Sequence, residues 1–225
     1  MVMIVSGFLA ALLLVIFGAH AEASTAARRL GRRTLGLCLA LAAYASASAL
    51  ESMRGMMPAM SLAADVLRLA GAASFASLSL GFPADRQAPV ARAWIWGAWF
   101  AAAALLAMLR LGAGIGAAPL RTAAGLASAL AVLAASIAII LFPDRALDRD
   151  ERPRAAVLGM RGAVAALAAG FAAFLPAELA GPVALASWVL LGASGHYAAT
   201  TDHVIGPYEA MRLLLVGAAW ILSVG

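Results

Sequence analysis

Residues 120–142 read LRTAAGLASALAVLAASIAIILF, a run of 23 residues with one charge, Arg121. About 20 mainly apolar residues wound as a helix match the hydrocarbon thickness of a bilayer. The same ruler, moved outward in both directions, marks eight candidate spans at 2–21, 34–52, 59–82, 93–112, 120–142, 157–178, 182–199 and 204–225. The bulk composition agrees: of 225 residues, 64% are hydrophobic and 12% charged. Soluble domains run at about 45–50% apolar, and a chain this size has no core large enough to hide the excess from water. The expected fold is therefore an all-α polytopic membrane bundle of about eight helices in a single domain. Soluble enzymes, disordered tails, disulfide scaffolds and nucleic-acid-binding domains are excluded at this step.

The net charge of +5 comes from 16 arginines, with no lysine anywhere. Together with dense Ala and Gly, this points to a GC-rich bacterial genome rather than to nucleic acid as a partner. Most of the arginines border the spans, where they orient the chain. The stretch Ala19-His20-Ala21-Glu22-Ala23 resembles a signal-peptidase site, but a signal peptide carries positive charge before its apolar run. Here the charge follows it, at Arg28, Arg29, Arg32 and Arg33. The first span is read as a retained anchor with its N-terminus outside. That choice puts eleven arginines in cytoplasmic loops (Arg28, Arg29, Arg32, Arg33, Arg86, Arg92, Arg145, Arg149, Arg152, Arg154, Arg161). The outer loops receive three, Arg54, Arg110 and Arg121. The bias satisfies the positive-inside rule and places the chain in a bacterial inner membrane as a multi-pass protein. Trp94 and Trp96 fall where the fourth span enters the bilayer, and Tyr197 and Tyr208 flank the last turn, as expected for headgroup-level aromatics.

Two hairpins repeat a pattern. The second and third spans join through Met53-Arg54-Gly55 and Pro58 and close on Phe82-Pro83-Ala84-Asp85-Arg86. The fourth and fifth join through Leu109-Arg110-Leu111 and Pro119 and close on Phe142-Pro143-Asp144-Arg145. Such tandem helical hairpins indicate duplication. The Phe-Pro-x-Asp-Arg turns loosely resemble turns in multi-span sensor regions of bacterial histidine kinases, over about a dozen residues. Small residues at Gly112-Ala-Gly-Ile-Gly116, Gly159-Met-Arg-Gly162 and Gly192-Ala-Ser-Gly195 suit close helix packing, or a dimer face. The last of these also resembles the Gly-x-Ser-Gly of rhomboid proteases, but the histidine that should face the serine from another helix is missing.

Charges inside spans are the candidate site, because each costs several kcal/mol in lipid unless paired or hydrated. Asp65 and Arg68 in the third span, and Glu209 and Arg212 in the eighth, both put an acid three residues before an arginine. That spacing places the two side chains on one helix face. Glu51 and Arg54 repeat the spacing at an outer end, and Glu178 is placed near the outer end of the sixth span. Such groups suit proton, cation or anion handling, and equally a self-neutralising pair. His20, His196 and His203 gather at the cytoplasmic end. His20 with His196 makes a weak candidate for bis-His haem or pigment ligation. Cys38 stands alone, and no metal site is expected.

Two functional readings follow. In the first, the chain is a small solute or ion carrier or conduit using Asp65 and Glu209 opposed by Arg68 and Arg212, so that Asp65→Asn or Glu209→Gln abolishes flux. In the second, it is a non-catalytic accessory subunit of a larger membrane complex, with other membrane subunits or a homo-oligomer as partners besides the lipid bilayer. A membrane-embedded sensor ranks third, and no catalytic constellation is found.

Overall fold

A computed structural model describes residues 2–24, 28–54, 58–82, 89–113, 118–141 and 151–200. Within them the chain forms seven helices: α1 (Val2–Ser24), α2 (Arg28–Arg54), α3 (Pro58–Leu80), α4 (Pro89–Gly112), α5 (Ala118–Leu141), α6 (Glu151–Ala172) and α7 (Ala177–Thr200). All seven are long and apolar enough to cross a membrane. The protein is a multi-pass helical membrane bundle, in which intrahelical hydrogen bonds satisfy backbone groups that lipid cannot. The count among the described residues is seven rather than eight. The eighth expected span, 204–225, lies outside them, with His203, Tyr208, Glu209 and Arg212.

Several helix ends differ from the hydropathy reading because proline does not stop a helix at its start. Pro58 and Pro89 open α3 and α4, Pro119 is second in α5, and Pro153 is third in α6. The first-turn N–H has no intrahelical acceptor, so its absence costs nothing. The acidic-basic segment beginning at Glu151 is therefore already helix, with Glu151 at the positive end of the α6 dipole. At the other end, α6 stops at Ala172 rather than continuing to 178. Ala173, Phe174 and Leu175 tighten into bonds to the carbonyls three residues back (3.0–3.2 Å), and the Pro176 carbonyl then accepts from Leu179 and Ala180. Glu178 consequently belongs to the first turn of α7, and Pro182 lies inside that helix instead of bracketing the turn.

Six helices close a ring in the order α1–α2–α3–α5–α6–α7, with α2 touching α7 across it. Phe75, Leu78, Leu37, Leu41, Val132, Leu158, Leu191 and Trp188 fill the interior. Lipid supplies no hydrophobic drive between helices, so close approach of backbones carries the packing. A methyl group on Gly159 would lie 2.9 Å from the Ser136 carbonyl oxygen, and one on Gly192 would lie 2.2 Å from a Leu14 methyl. The small-residue motifs of α6 and α7 are thus used within the chain.

Helix α4 is the exception. It leans on α3 from outside the ring and scarcely touches α5, so the fourth and fifth spans do not form a packed hairpin like α2 and α3. Its bulky residues face outward, including Trp94, Phe100, Met108 and Leu111.

Candidate functional site

Asp65 is seven residues below the first residue of α3, about 10 Å along the helix axis. As the spacing requires, Arg68 shares its face and bonds Asp65 Oδ1. The spacing does not reveal the second partner. Arg110, near the end of α4, bonds Asp65 Oδ2, and its Nη1 donates to Ser61 Oγ at 3.2 Å. Sequence reading assigned Arg110 to an outer loop; it is instead the largest fully buried side chain, at 0% exposure, beside Asp65 at 1%. A charged residue at the end of a span looks interfacial, and only the neighbouring helix shows that it points inward.

Arg68 reaches the ring interior. Its guanidinium carbon is 5.6 Å from the centre of the Tyr44 ring of α2. A methyl group on Gly125 of α5 would lie 3.0 Å from Arg68 Nη1, so the glycine leaves the space this side chain occupies. Tyr44 in turn meets Trp188 of α7 edge-on, with ring centres 6.3 Å apart. Arg68 is therefore surrounded by α2, α3 and α5, and its Nε, like Trp188 Nε1, is buried with no hydrogen-bond partner among the described residues.

At the C-terminal end of α2, Glu51 finds a partner on another helix. Arg121 of α5 holds both of its oxygens, at 2.8 and 2.9 Å, joining α2 to α5. The side chains of Arg54 and Glu178 lie outside the described residues. With Glu51 and Arg121 cancelling, the cluster of Asp65, Arg68 and Arg110 carries one acid and two bases. Among the described residues these three leave one positive charge over, against a desolvation cost of several kcal/mol per buried ion.

At the opposite end, His20 and His196 are brought together, with ring centres 5.1 Å apart and planes tilted by 56°. His196 Nδ1 donates to the Phe17 carbonyl at 2.9 Å, and Phe17 stacks on the ring from 5.2 Å. The pair predicted from sequence is adjacent, but the two rings contact each other, leaving no slab between them for a porphyrin. Among the described residues no three His, Cys, Asp or Glu side chains group as metal ligands. Tyr197 is buried under Arg161, whose guanidinium carbon lies 4.4 Å above its ring. The hydroxyl of Ser194 donates to the Leu190 carbonyl at 2.7 Å, a helix-internal bond rather than a nucleophile–base contact.

Comparison with family models, with curated proteins and with solved structures gives no match.

Proposed function

We propose that this chain is a small carrier or conduit for a charged solute, resident in a bacterial inner membrane and working at the Asp65–Arg68–Arg110 cluster. One observation supports the reading above the others: three ionised side chains from two helices meet inside an apolar bundle, and their charges do not cancel. A pair kept only for structure needs no third charge. Both Asp65 oxygens are engaged by guanidinium groups, so Asp65 reads as the counter-ion that keeps two arginines in place. Arg68, with 15% of its side chain exposed against 0% for Arg110, is the group that meets solute. Glu209 and Arg212 remain candidates for a second charged station on the eighth span.

Reconstitution tests this directly. Purified protein in liposomes conducts or exchanges a charged solute, and Arg68→Gln stops the flux while the protein stays folded and monodisperse. Absence of flux across a panel of small anions, cations and protons refutes the carrier.

The accessory-subunit reading is supported by α4, which stands outside the ring with only 11% of its spanning window buried. Isolation from the native membrane in mild detergent separates the two. Stoichiometric recovery with other subunits favours the accessory role, and recovery alone or as a small homo-oligomer favours the carrier.

A further inference from the structure

We propose that Arg68 is the centre of a binding site for one small monovalent anion, in the outer half of the bundle between α2, α3 and α5. The flux part of this proposal rests on the carrier reading; the binding part does not. Charge is the first support. The cluster holds Asp65 against Arg68 and Arg110 and carries one excess positive charge, which one monovalent anion neutralises. A cation entering the same space would meet two guanidinium groups and a carboxylate with both oxygens already engaged. The repulsion is strengthened by the low dielectric of a lipid-embedded interior.

Geometry is the second support. Arg110 bonds Asp65 and Ser61 and is wholly buried, whereas Arg68, which bonds Asp65 Oδ1, keeps 15% of its side chain exposed and can be reached by a solute. A guanidinium has five N–H donors in a planar fork, more than one carboxylate oxygen can use. Among the described residues, the Tyr44 ring at 5.6 Å and Gly125 lie beside it, and neither supplies an acid. The neighbouring carboxylate, Glu51, is held by Arg121. A halide, a short carboxylate or the phosphodiester of a lipid headgroup shares the chemistry that such a site selects.

Equilibrium dialysis of the full-length protein in non-ionic, phospholipid-free detergent, with labelled chloride and labelled acetate, tests the site. The expected result is one saturable anion per chain, with labelled sodium unbound. Arg68→Gln weakens anion binding by about tenfold or more, since a full charge is removed at contact distance, and Arg68→Lys restores most of it. Asp65→Asn raises the net charge of the cluster by one and binds the anion as tightly or more tightly. If that variant does not fold, Gly125→Leu replaces it: the larger side chain displaces Arg68 and weakens binding without removing a charge. Failure of the wild-type chain to bind either anion overturns the proposal, as does undiminished binding by Arg68→Gln. Loss of binding in a folded Asp65→Asn protein also overturns it.

The flux assay separates the two readings. Anion binding without transport of any solute refutes the carrier and keeps the site. Cation flux without anion binding does the reverse. Retention of phosphatidylglycerol that chloride displaces identifies the anion as a lipid headgroup, which supports the site and refutes the carrier.

Discussion

Unequal partners in the Asp65 cluster make an asymmetric prediction about stability. Arg110→Met removes one of two cations and leaves Asp65 with Arg68, a neutral pair on one helix. The bonds to Asp65 and Ser61 are lost, but so is the desolvation of a wholly buried guanidinium, and the replacement is apolar. Exchange of buried ions for packed apolar groups is often close to neutral. The expected cost is about 1–2 kcal/mol, felt as looser attachment of α4. Asp65→Asn instead leaves Arg68 and Arg110 facing each other without a counter-ion. Two guanidinium groups that shared one carboxylate lie roughly 5 Å apart, and an effective dielectric of about 20 gives a repulsion near 3 kcal/mol. Added to the lost charge-assisted bonds, this puts the cost at about 3–5 kcal/mol. The double variant relieves the repulsion, so it is less damaged than the sum of the two singles by about 2–3 kcal/mol. Denaturation of the purified protein in detergent micelles, read by helix content, measures all three. If Asp65→Asn lies within about 0.5 kcal/mol of the native protein, or if Arg110→Met is the costlier single change, the charge accounting of this cluster is wrong. Saturating chloride adds a second readout: by linkage it raises the transition of Asp65→Asn more than that of Arg68→Gln.

Three further outcomes are expected. Gly159→Ala drives a methyl against the Ser136 carbonyl and two isoleucines and costs about 1–3 kcal/mol, whereas Gly97→Ala, with open space around it, stays within about 0.5 kcal/mol on the same denaturation assay. His196→Ala breaks the bond from α7 to the Phe17 carbonyl of α1 and speeds proteolysis in α1; the exposed His20→Ala does so less, and equal protection of both variants counts against the contact. Cys38 is wholly buried, so it is expected to resist maleimides in the folded protein, and a Cys38→Ser, Thr122→Cys protein reports topology; labelling of Thr122→Cys by an impermeant maleimide from the outside of intact cells is expected, and labelling only after the membrane is opened reverses the orientation.

The membrane bundle and most of its spans were legible in composition and run length, because lipid demands long uninterrupted apolar helices and composition states that demand directly. The pairing of Asp65 with Arg68 was legible as well, since helical geometry brings any residue beside the one three places on. Helix ends were less so at Pro153, Pro176 and Pro182, where the effect of proline depends on its distance from the start of the helix. The repeat in the hairpins suggested equivalent packing, yet α4 stands aside from α5 while α2 and α3 pack together.

What the chain's own order determined, then, was local: length, hydropathy and contacts along one helix. The tertiary structure alone decided which helix lies beside which. That choice turned Arg110 from an interfacial residue into a buried partner of Asp65, drew Glu51 across to Arg121, and set His20 against His196. The physical reason is that each of these contacts joins residues far apart in the chain, and in lipid the neighbours of a helix are selected by the fit of small residues and the meeting of charges. Hydropathy does not encode either, because an average over a span does not say which of its faces meets which neighbour.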